Sequence, residues 1–151
     1  MRFHLASNPG DYAACQKLLK EAELPKQKLS WPTVMAFHDT DGLVGFLSTE
    51  IQDKMIIAGP LVIKPGRRRA WTAIRLIETY ENAMRNMSIK SYIFSAEMGT
   101  QLDIGVQRLY ETLPYASQDG RNFYIRKLDN GWQGQRSKTV GGREASPKEP
   151  G

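Results

Sequence analysis

Between Thr33 and Ile63 three strand-like runs follow one another across two tight turns, and this narrows the available folds more than any other feature. Thr33–Phe37, Leu43–Ile51 and Met55–Ile63 are rich in aliphatic and aromatic residues. Asp39-Thr40-Asp41-Gly42 and Gln52-Asp53-Lys54 separate them, and Gly42 suits a positive φ. Connections this short join neighbouring antiparallel strands, so the segment predicts a meander. Ala58-Gly59-Pro60 interrupts the third run. Proline has no N–H for a ladder, so a bulge or a strand edge is expected there.

Helical patterns flank the meander. Phe3–Ala6 reads as a short strand, and Asn8-Pro9-Gly10 breaks it. Asp11 is a candidate N-cap for a helix over 11–23, because Tyr12, Cys15, Leu18, Leu19 and Ala22 recur at helical spacing. Residues 26–32 read as irregular. After Pro65, the residues Ala73, Leu76, Ile77, Tyr80, Ala83, Met84 and Met87 form an apolar stripe on a helix of about four turns. Ser91–Ala96 reads as a strand. Leu102, Val106, Leu109 and Leu113 predict a helix that Pro114 stops, and Asn122–Leu128 predicts a last strand after the Asp119-Gly120 turn. The order is β-α-β-β-β-α-β-α-β over residues 1–128, an α/β (α+β) class. From Asp129 to Gly151 the periodicity vanishes among Gly, Pro, Ser and charges, which predicts a flexible polar tail.

Composition excludes several function classes. Cys15 is the only cysteine, and His4 and His38 stand alone, so neither a disulfide framework nor a metal site is expected. No apolar run approaches the ~18 residues a membrane span needs, and the N-terminus lacks a signal-peptide core, so a cytoplasmic setting is expected. A net charge of +5 is a mild bias toward anionic partners. Basic residues and aromatics do not interleave, which disfavours a nucleic-acid module.

The charge concentrates at one place. Leu61–Glu78 reads LVIKPGRRRAWTAIRLIE, so Arg67, Arg68 and Arg69 stand where a strand hands over to a helix. A helix N-terminus offers unpaired N–H groups and a partial positive charge, and arginine forks suit phosphate oxygens. Solvated arginines at a turn would look the same.

Ile63–Leu76 (IKPGRRRAWTAIRL) resembles motif A of the GNAT superfamily of acyl-CoA-dependent N-acetyltransferases. Ile63 and Pro65 match its V-x-P start, Arg68 its Arg/Gln, Ala73 its final Gly/Ala and Leu76 its Leu. Val106–Tyr115 (VQRLYETLPY) is similar to the family's A-x-x-L-Y-x-x-x-Gly-Phe signature. Trp71 stands where the family has its first glycine, and Pro114-Tyr115 replaces Gly-Phe. The resemblance implies the GNAT fold, a mixed and mostly antiparallel twisted sheet flanked by helices. It implies acetyl-CoA as cosubstrate, no metal, and transfer of an acetyl group to a primary amine of an unspecified acceptor. By position, the backbone of Leu61 and Ile63 would pair with the pantetheine arm. The amides of Arg68, Arg69, Ala70, Trp71, Thr72 and Ala73 would cradle the pyrophosphate. Tyr110 would protonate the departing thiolate. Glu97 and Glu50 are the two candidates for the base. A binding protein on the same fold without activity is the alternative, and a homodimer stays open.

Overall fold

The computed structural model describes residues 1–66, 68–97, 99, 101–109 and 115–128. Its elements are β1 (Arg2–Leu5), α1 (Pro9–Glu21), β2 (Ser30–His38), β3 (Gly42–Gln52), β4 (Met55–Ile63), α2 (Arg69–Asn86), β5 (Ser91–Glu97), α3 (Gln101–Leu109), β6 (Tyr115–Gln118) and β7 (Arg121–Lys127). The strands form one sheet in the order β1-β2-β3-β4-β5-β7-β6. All pairings are antiparallel except β4 with β5, which run parallel because α2 crosses between them.

The meander is present as expected, and β2 starts earlier, at Ser30 within the segment read as irregular. β6 was not expected at all. It is a four-residue strand that folds back on β7 through Asp119 and Gly120, both at positive φ. Four residues are too few for alternation to show in a sequence. The cap of α1 is Asn8, not Asp11: the Asn8 Oδ1 accepts the Asp11 amide at 2.9 Å, and the Asp11 carboxylate accepts the Ser7 amide at 2.8 Å. Pro9 then occupies the first turn, where its missing N–H costs nothing.

Strand alternation divides the core between the two faces. Cys15, Leu18 and Leu19 of α1 pack with Met35, Phe46 and Val62 on one face. Leu76, Ile77, Tyr80 and Met84 of α2, with Val106 of α3, pack with Val34, Ala36, Leu47, Ile63, Tyr92, Phe94 and Tyr124 on the other. Each such buried aliphatic or aromatic side chain contributes roughly 1.5–3 kcal/mol.

The α2 face also encloses a charge. Glu81 is 0% exposed and Arg126 of β7 is 1% exposed. Arg126 donates from Nε to Glu81 Oε2 at 2.8 Å and from Nη2 to Oε1 at 3.1 Å, while the Tyr92 hydroxyl donates to Oε2 at 2.6 Å. Fork-to-carboxylate pairing of this kind is what makes a buried charge tolerable. It ties α2, which lies over β1 to β4, to the far half of the sheet.

Candidate active site

The two halves of the sheet part at the end of β4. β4 spans nine residues and β5 seven, yet only Ile57 with Ile93 and Ala58 with Phe94 are paired. The cause lies in the Gly59-Pro60 interruption. Against β3, Leu47 pairs with Leu61 and Thr49 pairs with Ala58, so two β4 residues stand opposite Ser48 alone. Of the bulge and the strand edge that the proline allowed, the register shows the bulge. Gly59 sits at φ 145°, a backbone region that L side chains rarely adopt. Beyond it β4 continues beside β3 but leaves β5.

Register then fixes where the backbone of the last β4 residues points. The Lys64 amide donates to the Val44 carbonyl at 2.8 Å. Within a strand, neighbouring residues present their N–H and C=O to opposite edges. Val62 therefore faces β3 like Lys64, while Leu61 and Ile63 turn their backbone groups toward the split.

The segment after β4 ends in a helix N-terminus without a side-chain cap. α2 begins at Arg69, its cap residue Arg68 makes no capping hydrogen bond, and its first turn has no acidic residue. The Thr72 amide serves the Arg68 carbonyl at 2.8 Å, and Ala73 lies far enough into the helix to bond Arg69. The Arg69 amide makes a longer turn bond, 3.3 Å, to the Gly66 carbonyl. Donors for a bound anion thus come from the first turn, not from the whole segment through Ala73. Arg67 lies outside the described residues.

A cavity of about 770 Å3 opens at this junction, lined by Ile63, Pro65, Gly66, Arg68, Arg69 and Thr72 together with Met1, His38, Asp41, Val44 and Lys64. Of the residues singled out from the sequence, Ile63, Arg68, Arg69 and Thr72 line it; Leu61, Ala70, Trp71 and Ala73 do not. The Trp71 indole points elsewhere. Its ring lies 5.9 Å from Phe3 of β1, edge to face, with the Arg68 guanidinium 5.2 Å and the Arg75 guanidinium 5.6 Å from its centroid. β1 is the sheet edge three strands from β4, so the indole is anchored away from the split.

The carboxylates differ in their surroundings. Glu50 of β3 accepts from Arg121 Nη2 of β7 at 3.3 Å, and the same Nη2 donates to Ser95 Oγ of β5 at 2.7 Å. Glu97 ends β5, exposed, opposite Arg121 in register. Tyr110 lies outside the described residues. Burial pushes the Cys15 thiol up to about 12, with nearby Asp11 adding to the shift, which removes it as a nucleophile. Tyr80 is likewise raised to about 12 by burial; its hydroxyl lies 2.8 Å from Thr49 Oγ1, a contact that acts in the opposite direction. Among the described residues no group of His, Cys, Asp or Glu could hold a metal ion, and no helix is long and apolar enough to cross a membrane.

Arg121, Ser95 and the Glu81–Arg126 pair were not singled out from the sequence. Glu81 carried a signal: it falls four residues after Ile77 and three before Met84, on the apolar stripe itself. Arg121 carried none, because its partners arrive from β3 and β5.

The overall fold, with its parallel β4–β5 pair and α2 between them, is similar to that of solved structures. An aminoglycoside 6'-N-acetyltransferase from Enterococcus faecium is 18% identical over 85% of this chain and 97% of its own, with a TM-score of 0.58. A GNAT-family acetyltransferase from Staphylococcus aureus Mu50 is 11% identical over 84% and 99%, with a TM-score of 0.62. The chain has the GNAT fold. A GNAT-family N-acetyltransferase from Escherichia coli, solved with CoA, is 13% identical over 85% of this chain and 82% of its own, TM-score 0.59. No family model matches the sequence, and no curated protein matches it. At these identities the likeness concerns the GNAT fold; what the chain does with it must be argued from its own residues.

Proposed function

We propose that the protein is an N-acetyltransferase that moves an acetyl group from acetyl-CoA to a primary amine, with residues 1–128 as the working unit, 129–151 as a tail, and the cytoplasm as its setting. The observation that carries this reading is the outward-facing backbone of Leu61 and Ile63 beside an uncapped, arginine-bearing helix start. An extended pantetheine arm would take the place that β5 vacates, as an added strand does. The first-turn amides of α2 with Arg68 and Arg69 would hold the pyrophosphate. The site residues fit this ligand chemically, since Trp71 keeps its amide while its indole packs on Phe3.

In the reaction the amine nitrogen forms a bond to the thioester carbonyl carbon as the carbon–sulfur bond breaks. The amine proton passes to a carboxylate, and the departing thiolate takes a proton from Tyr110. Glu50 is the stronger candidate for the base, because Arg121, itself held by Ser95, fixes its carboxylate near the apex of the split; Glu97, at the end of β5, is the rival. The work of the protein is positioning and electrostatics. The alternative of a non-catalytic binder draws on Trp71 replacing a glycine and on the absence of an obvious base; the packing of the indole on Phe3 weighs against the first ground.

The test is twofold. Acetyl-CoA is expected to raise the melting temperature, and thiol release is expected with a primary amine present. Tyr110→Phe should lower turnover at least tenfold with CoA binding retained. No thermal shift with acetyl-CoA would refute the reading; unchanged turnover in Tyr110→Phe would remove that residue's role.

A further inference from the structure

On the face of the sheet away from α2, an ion pair spans the split. Glu50 stands on β3 and Arg121 on β7, with β4 and β5 between them. Arg121 reaches across because its path is clear. At Gly59 a side chain would start 3.3 Å from Ser95 Oγ, in the space beside which the guanidinium meets Ser95. The Phe123 ring lies under the guanidinium, 5.2 Å from it, and holds its orientation.

The pair is poorly suited to a purely structural role. It has a single contact of 3.3 Å, and its side chains are 34% exposed at Glu50 and 37% at Arg121. Such pairs contribute only ~0–1 kcal/mol to stability. Both hydrogen bonds described for Arg121 leave from Nη2. The Glu81–Arg126 pair, fully enclosed and bidentate, shows what this protein builds when an ion pair serves the fold. Beside the exposed pair the sheet surface changes character. Thr33 Oγ1 and Ser48 Oγ, 2.6 Å apart, form a buried polar patch toward β2. Ile93 and the exposed Ile125, paired across β5 and β7, form an apolar one.

We infer that Glu50 and Arg121 form the acceptor subsite for an α-amino acid. This rests on the acetyltransferase reading and specifies its acceptor. A ligand carrying its own adjacent ammonium and carboxylate can insert between the two side chains. The ammonium faces Glu50, while the carboxylate meets Arg121 and the Ser95 hydroxyl. Adjacency of the two protein charges selects adjacency of the two ligand charges, which is the α-amino acid pattern. An apolar ligand side chain then lies along Ile93 and Phe123.

The experiment titrates leucine and isoamylamine, the same amine without the carboxylate, into full-length protein saturated with CoA, using isothermal calorimetry. Leucine is expected to bind at least tenfold more tightly. Arg121→Gln should remove the difference between the two ligands, and Arg121→Lys should restore part of it. A structural role for Arg121 would not move that ratio. Equal affinity for the two ligands, no binding of leucine, or a preference that survives Arg121→Gln would each overturn the proposal. A protein that shows no melting shift with acetyl-CoA fails the underlying acetyltransferase reading instead, so the two failures are distinct.

Discussion

Arg126→Met tests the buried pair that braces the split. The substitution keeps an apolar stem of similar length but removes both charge-assisted donors at 2.8 and 3.1 Å from Glu81. The Glu81 carboxylate would stay fully enclosed, keeping the Tyr92 hydroxyl at 2.6 Å and the more distant Arg85 at 3.4 Å. The neutral Tyr92 donor and the one long contact from the part-exposed Arg85 compensate a buried charge poorly. Breaking a buried pair from one side costs about 3–5 kcal/mol, a large part of the ~5–15 kcal/mol that stabilises a domain. Urea unfolding should show the midpoint falling with the slope unchanged. The double variant Glu81→Met/Arg126→Met should recover most of the loss, because no buried charge is left without a partner; Arg85, which also loses Glu81, is part exposed. Since α2 carries the proposed pyrophosphate-binding turn at one end and this clamp further along, CoA affinity in Arg126→Met should fall too. A single-variant loss below about 1 kcal/mol, or a double variant no better than the single, would refute the assignment of Arg126 as the counterion that makes Glu81 tolerable.

Other outcomes follow from the same geometry. Arg68→Glu should weaken CoA binding roughly tenfold by calorimetry, since a like charge would then face the phosphates; unchanged affinity would move the pyrophosphate elsewhere. Trp71→Ala should lower stability by about 1–3 kcal/mol through lost contact with Phe3 and the two arginines, yet leave CoA affinity within threefold. Tighter CoA binding would mean the indole obstructs the cleft. Gly59→Val should destabilise by about 1–3 kcal/mol, because a branched side chain at φ 145° is strained and its Cβ meets Ser95 Oγ. A neutral result in thermal unfolding would contradict the bulge geometry. Cys15, raised to about 12, should resist a thiol reagent at pH 8, where about one molecule in ten thousand carries the thiolate. Unfolding lowers this thiol to its ordinary range near 9, so the unfolded chain loses the proton first, and stability should decline as pH rises from about 9 toward 12. Rapid labelling of native protein would show that α1 opens.

What the sequence determined by itself is local. The meander follows from apolar runs cut by Asp39–Gly42 and Gln52–Lys54, and the bulge from a proline that cannot pair. The apolar stripe of α2 and the arginines at its start follow from spacing and charge. Each depends on neighbours in the chain, and motif spacing sufficed to suggest the fold that the structural comparisons support. β6 and the true cap of α1 escaped because each rests on a few residues whose alternatives read equally well. The tertiary structure alone decided where Trp71 points, since its anchor, Phe3, comes from edge strand β1, 68 positions earlier in the chain. It also decided that Glu50, Ser95 and Arg121 meet, because a β7 side chain reaches β3 only when the order β3-β4-β5-β7 and the bare Gly59 lie between them. Contacts between residues 71 positions apart leave no period and no spacing in a sequence; they exist only once strand order has been set.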